Sequence, residues 1–159
     1  SFSYVLLDTK GESYVVEASP RGVEVRKSNL CTNHFELKKD ENRNYLVDSI
    51  ERLTVMKNEE RNVLNAKDAY HLLNDTEKGV FATEYRNWAG TIHTSAYFPK
   101  ELKVWFALGG DAEPEIFDFQ AWLNGKEIIT DKITGEVDTD LPFAHMDEDA
   151  RWFGNKKLN

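Results

Sequence analysis

Leu30-Cys31-Thr32-Asn33-His34-Phe35 and, further along, Asp48-Ser49-Ile50-Glu51-Arg52 decide how this chain is read. The first stretch reads as an apolar strand, Asn29 to Thr32, ending in a Thr-Asn-His-Phe turn. The second lies in a run where Leu46, Ile50, Leu53 and Met56 recur at helical spacing. Ser49 and Arg52, three apart, then share one helix face. A polar turn is followed closely by a helix carrying a hydroxyl and a guanidinium side by side.

Before the turn, Tyr4 to Asp8 and Ser13 to Ala18 are β-rich, and Thr9-Lys10-Gly11-Glu12 reads as a hairpin turn. Ser19-Pro20-Arg21-Gly22 is a second turn, and Val23 to Arg26 alternates as a half-buried strand does. Asp40 to Asn44 starts a helix that continues from Tyr45 to Asn58. Asn65, with Asp68 three residues on, predicts the N-cap of a second helix through Ala69, Leu72 and Leu73, with Gly79 beyond its end. Ile92 to Phe98 and Leu102 to Leu108 form a later hairpin around Pro99-Lys100-Glu101, closed by Gly109-Gly110-Asp111. Phe117, Phe119, Trp122 and Leu123 fit both a strand and a helix period. Asp131 to Asp149 is acidic and reads as a long loop, with a last helical turn at Asp147 to Phe153. Strands, helices, then strands predict an α+β fold with a mainly antiparallel sheet and helices packed on one face. Residues 1–110 form its main portion and 111–159 an acidic C-terminal extension of the same domain.

The formal net charge of −8 leaves no concentrated basic surface for nucleic acid or anionic membrane. No stretch approaches the length and apolarity of a membrane span. Cys31 is the single cysteine, so no internal disulfide forms, and a reducing, cytoplasmic setting is expected. His34, His71, His93 and His145 are scattered, and neither paired-cysteine nor HExxH spacing is present, so no metal or other cofactor is expected. The chain opens on Ser1-Phe2-Ser3 and runs straight into a strand pattern. That start predicts a chain cut from something longer.

The turn and the helix resemble the choloylglycine hydrolase and acyl-CoA:penicillin acyltransferase branch of the N-terminal-nucleophile (Ntn) hydrolases. The similarity runs from Tyr4 to Leu108 and rests on the order and spacing of the opening hairpin, the TNHF turn, the S-x-x-R helix, the short second helix and the later hairpin. It implies an αββα sandwich in which an N-terminal cysteine thiolate attacks a linear amide, leaving an acyl-enzyme that is hydrolysed or passed to an acceptor amine. It assigns Asn33 and Arg52 to the catalytic site, and Thr32, His34, Phe35 and Ser49 to the substrate pocket. The family's cysteine, and the Asp and Asn near it, have no counterpart here. The resemblance therefore places the nucleophile upstream and makes the isolated chain inactive.

Each assignment has a plainer alternative. Asn33 can simply cap a turn. Arg52 can pair with Asp48, Glu51 or Glu59 at the surface. Cys31 is internal, has no free α-amine to act as its base, and reads as a buried, inert thiol. A Cys31–His34 pair is the least favoured enzyme reading, and Ser1 reads as a chain boundary. Trp88, Trp105 and Trp122 read as core or interface residues, and the acids Asp138, Asp140, Asp147, Glu148 and Asp149 as a solvated face. Against the amide-hydrolase reading stands a non-enzymatic α+β interaction module with the acidic tail as its contact surface.

Three expectations follow. Asn33 and Arg52 converge on one cavity and take a small amide substrate. The partner is the missing N-terminal part of the same protein. A sheet left half-covered also exposes an edge and an apolar face, built from Val5/Leu7, Val23/Val25, Ile92/Thr94/Ala96 and Val104/Phe106. That face predicts a homodimer through sheet edge or face, unless the Phe117/Phe119/Trp122 segment covers it.

Overall fold

A computed structural model describes residues 2–8, 10–42, 47–87, 89–127 and 132–141. Trp88, the helical turn expected at Asp147 to Phe153 and the acids Asp147 to Asp149 lie outside these. The chain divides into two compact units, Ser1–Leu72 with Glu77–Val80, and Leu73–Thr76 with Phe81–Asn159. The architecture is α+β, and every strand pairing is antiparallel.

The first unit opens with a meander of β1 (Phe2–Leu7), β2 (Ser13–Ser19) and β3 (Gly22–Lys27), with β2 in the centre. The tight turns do what their residues allow. Gly11 takes φ +86°, and Asp8 Oδ1 accepts from the amides of Lys10 and Glu12 at 2.8 Å each. Along β2 the pleat turns Val15 and Glu17 to one face, where both are completely buried.

The fourth strand expected at Asn29 to Thr32 does not form. The carbonyl that a ladder would use, that of Leu30, instead accepts from Arg26 Nη2 at 3.0 Å and Ser28 Oγ at 3.3 Å. A side chain of β3 thus ties down the loop that follows it. At Lys39–Glu41 the chain makes a single 3₁₀ turn.

Helix α1 spans Val47–Glu59. Its buried positions are Ser49, Leu53 and Met56, whereas Ile50 is exposed. The apolar stripe read from the sequence is thus rotated, because the Ser49 hydroxyl is consumed by hydrogen bonds and needs no water. Helix α2 spans Ala66–Asn74. Asn65 Oδ1 caps it, accepting from Lys67 N at 2.9 Å and Asp68 N at 3.0 Å. Asp68 reaches back to the amide of Leu64, one residue before the cap. Met56, Leu72 and Val80 form a core cluster with Leu30, Val55 and Val63 against it.

In the second unit, β4 (Thr83–Glu84) pairs with β5 (Ala89–Gly90), and β6 (His93–Phe98), β7 (Lys103–Leu108) and β8 (Glu115–Asp118) form a separate sheet. The ambiguous segment resolves into both periods in turn. β8 ends at Asp118, whose side chain accepts from Ala121 N to cap the five-residue α3 (Phe119–Leu123). Phe119 and Trp122 stack at 5.0 Å, and Trp105 packs on Phe98 at 4.9 Å. Buried Asn74 satisfies its whole amide, donating to Thr94 Oγ1 (2.9 Å) and Gly109 O (2.8 Å) and accepting from Ala112 N (2.7 Å).

Register corrects the expected apolar face. Val5 lies opposite Val15, which in turn lies opposite Arg26, but Val23 and Val25 lie opposite Ala18 and Val16. Val5/Leu7 and Val23/Val25 therefore occupy opposite faces of the first sheet. Thr94 and Ala96 pair with Ala107 and Trp105, which puts Val104 and Phe106 on the other face of the second sheet. Strand pattern alone sets alternation, whereas turn length sets which rows meet.

Candidate functional site

Glu17 is a carboxylate at the centre of a strand, fully withdrawn from water. Such a group must be paired to persist. Its partners are three consecutive backbone amides. Glu17 Oε1 accepts from Glu36 N at 2.7 Å, and Oε2 accepts from Leu37 N at 3.0 Å and Lys38 N at 3.1 Å. Arg26 Nε stands 3.7 Å from Oε1, and the same guanidinium ion-pairs with Glu36. Lys57 of α1 reaches Glu36 from the other side at 2.8 Å. Burial alone would raise the Glu36 carboxyl, but the hydrogen bond from Lys57 and the charge of Arg26 outweigh it and hold it below the usual range.

These contacts anchor the residues after the turn. Asn42 completes the anchor from further along, with Oδ1 accepting from Phe35 N and Nδ2 donating to Phe35 O, each at 2.7 Å. Phe35 itself is buried. The TNHF turn is therefore braced from β2 through Glu17 and from the 3₁₀ turn through Asn42.

Toward α1 the turn is held by hydroxyls. Thr32 Oγ1 donates to Ser49 O at 2.8 Å, and Ser49 Oγ donates to Thr32 Oγ1 at 2.9 Å. His34 Nδ1 joins them at 2.9 Å from Ser49 Oγ. Thr32 Oγ1 lies 3.1 Å from the same nitrogen. Burial lowers the His34 pKa below 6.5, the charges of Lys57 and Arg26 act in the same direction, and Glu36 and Glu17 oppose them.

Beside this clamp, Arg52 is braced from within its own helix, Nε donating to Asp48 Oδ2 at 2.9 Å. Its Nη2 then donates to Asn33 Oδ1 at 2.8 Å. A guanidinium has donors only, so the amide oxygen must face it. The two Nδ2 hydrogens of Asn33 are thereby turned away from Arg52. Asn33 is exposed, and no described residue accepts from its Nδ2. The pair presents an oriented amide donor beside a fixed positive charge. Such an arrangement stabilises an oxygen that gains negative charge.

A family model described as acyl-coenzyme A:6-aminopenicillanic acid acyl-transferase matches residues 1–113. The chain belongs to this family. The match contains the turn, α1 and every contact described around Asn33 and Arg52, and it ends before residues 114–159. No curated protein and no solved structure matches the chain.

Within this acyltransferase family member, direct hydrogen bonds join Thr32, His34 and Ser49 in one group and Asn33 and Arg52 in another, and Phe35 is buried. Both readings of Arg52 hold in part, since it pairs with Asp48 and also reaches Asn33. Cys31 stands apart from the cluster's bonding, because His34 Nδ1 is engaged by hydroxyls rather than by the thiol. Burial pushes the Cys31 thiol up, and the nearby Arg26 only partly offsets it. A cavity of about 240 Å³ in the second unit, walled by Phe106, Asp111, Glu115, Ile133 and Glu136, contains none of these residues. Glu17 and Asn42 escaped the sequence reading. The signal for Glu17 was present, since it shares the pleat of Val15 in an otherwise apolar strand.

Among the described residues, no group of three or more His, Cys, Asp or Glu side chains is placed to hold a metal ion. No helix among them is long and apolar enough to cross a membrane.

Proposed function

We propose that Asn33 and Arg52 belong to an acyl-transfer site acting on linear amide C–N bonds. The observation that supports this most is the Arg52–Asn33 hydrogen bond, because it fixes the amide with its donors outward. The family match supports the same reaction class and disfavours the interaction-module alternative. In this reading a nucleophile adds to the carbonyl carbon of the substrate, and the carbonyl oxygen takes up negative charge. Asn33 Nδ2 donates to that oxygen while Arg52 supplies positive charge nearby. Collapse of the adduct breaks the C–N bond, and the amine leaves with a proton. The acyl group, now an ester or thioester of the nucleophile, passes to water or to an acceptor amine.

The resemblance assigns the attack to an N-terminal cysteine thiolate using its own α-amine as base. Cys31 does not fit that role, being internal and having a raised pKa. Thr32, His34, Phe35 and Ser49 shape the substrate side of the site by holding the turn against α1. The β1–β3 sheet is read as one layer of an αββα sandwich, with helices on its outer side.

The test, made on protein that carries the upstream cysteine, is amine release from an acyl-amide reporter, and thiol release from an acyl-CoA offered with an amine. Asn33→Ala and Arg52→Ala are expected to lower kcat. Turnover by both variants at the wild-type rate would remove the two residues from the site.

A further inference from the structure

Three side-chain contacts tie the TNHF turn and its continuation to α1, and they run in the same order along both. Thr32 meets Ser49, Asn33 meets Arg52, and Glu36 meets Lys57. Arg52 and Lys57 are five positions apart on α1, about 140° round a helix. The buried side chains Ser49, Leu53 and Met56 all fall within that arc. Arg52 and Lys57 therefore stand on opposite edges of the buried stripe, and the chain from Asn33 to Glu36 crosses the stripe from one edge to the other.

The two edges pull against each other. The Arg52–Asn33 bond, at 2.8 Å, draws one edge of α1 toward the turn, and the Lys57–Glu36 bond, also at 2.8 Å, draws the other. Rolling the helix about its axis shortens one reach and lengthens the other. Between them, Leu53 and Met56 make apolar contacts, which have no direction and oppose a small roll weakly. A roll of about 10° swings a side-chain end about 6 Å from the axis through about 1 Å. A displacement of that size at a reacting centre costs on the order of 10²-fold in rate.

Glu36 is the fixed end of its contact. Its amide donates to Glu17 Oε1 at 2.7 Å, and its carboxylate also pairs with Arg26 of β3. Lys57 is the loose end, with a side chain 50% exposed and, among the described residues, no other carboxylate paired to it. An ion pair this open to water adds little to stability.

We propose that Lys57 and Glu36 are positioning residues for acyl transfer, their ion pair setting the roll of α1 and through it the reach of Arg52 to Asn33. The proposal rests on the acyl-transfer reading of Asn33 and Arg52. Neither Lys57 nor Glu36 touches the substrate; both act through the Arg52–Asn33 bond.

Turnover is measured on protein that carries the upstream cysteine. Lys57→Met keeps the apolar stem and removes the charge, and Lys57→Arg keeps both. Lys57→Met is expected to lower kcat about fivefold, the scale of an exposed ion pair, with KM within about twofold and the urea midpoint unchanged. Lys57→Arg is expected to recover most of that loss. A wild-type kcat in Lys57→Met, an effect confined to KM, a loss that accompanies a lower urea midpoint, or a loss that Lys57→Arg leaves in place would each overturn the proposal. Asn33→Ala, assayed alongside, separates the two readings. A slow Asn33→Ala beside a wild-type Lys57→Met removes the positioning role alone, whereas wild-type turnover by Asn33→Ala removes the acyl-transfer reading.

Nitrogen-15 relaxation of Asn33 Nδ2 tests the positioning without turnover, on the chain as it stands. Its order parameter should fall below about 0.6 in Lys57→Met, the range of a flexible group, and return toward the wild-type value in Lys57→Arg. The same value in all three proteins would overturn the proposal.

Discussion

Arg52 donates to Asn33 Oδ1 at 2.8 Å across nineteen residues of chain, and thereby decides which end of the Asn33 amide faces outward. Without it, either end could face solvent. Asp48 holds the guanidinium from the other side, so the pair is an element of a three-residue chain rather than a lone contact.

In protein that carries the upstream nucleophile, Asn33→Ala is expected to lower kcat on an acyl-amide reporter by about 10²–10³-fold, the cost of one oxyanion donor. Arg52→Lys keeps the charge but not the two-way bridge, so it should recover only part of the activity lost in Arg52→Ala. Steady-state kinetics on the three variants checks both statements.

Glu17→Ala leaves the backbone amides of Glu36, Leu37 and Lys38 without their acceptor and removes one of the two carboxylates beside Arg26. The expected loss is about 3–5 kcal/mol, as for one partner removed from a buried charge network. Glu17→Gln keeps the shape but turns an NH₂ toward donors, and should also destabilise. Urea unfolding followed by tryptophan fluorescence measures the two losses.

His34 has a folded pKa below its ordinary 6.5, set first by burial. Between that folded value and 6.5 the unfolded chain binds more protons than the folded one. The His34 contribution to stability therefore declines as pH falls from 6.5 through the folded pKa, and is level below it. An NMR titration of His34 should give a midpoint under 6.5.

Cys31 is expected to react slowly with iodoacetamide at neutral pH, since burial raises its pKa. Half-maximal alkylation should come at a higher pH than for an unburied thiol. Cys31→Ala should leave turnover unchanged. A large loss of activity in that variant would restore Cys31 as nucleophile.

Much of this was legible along the chain. The α+β class, the hairpins, the Asn65 cap and the position of α1 each follow from periods and turn residues that act over a few positions. The proximity of Asn33 to Arg52 was also legible, through the order of the TNHF turn and the S-x-x-R helix. The burial of Ser49 in place of Ile50 was not, because it depends on two hydroxyls meeting between separate elements. Nor was the loss of the strand at Asn29 to Thr32, where Arg26 and Ser28 capture the Leu30 carbonyl.

The sequence by itself determined the local elements and the family, since both rest on residue identity at short, fixed spacing. Only the tertiary structure decided that Glu17 gathers the amides of Glu36, Leu37 and Lys38, that Asn42 brackets Phe35, and that Val23 and Val25 lie on the opposite face from Val5. The reason is physical. A buried polar atom accepts whichever donor the folded chain brings within reach, and a strand's faces are assigned by the register its turns impose. Neither is a property of any single stretch of sequence.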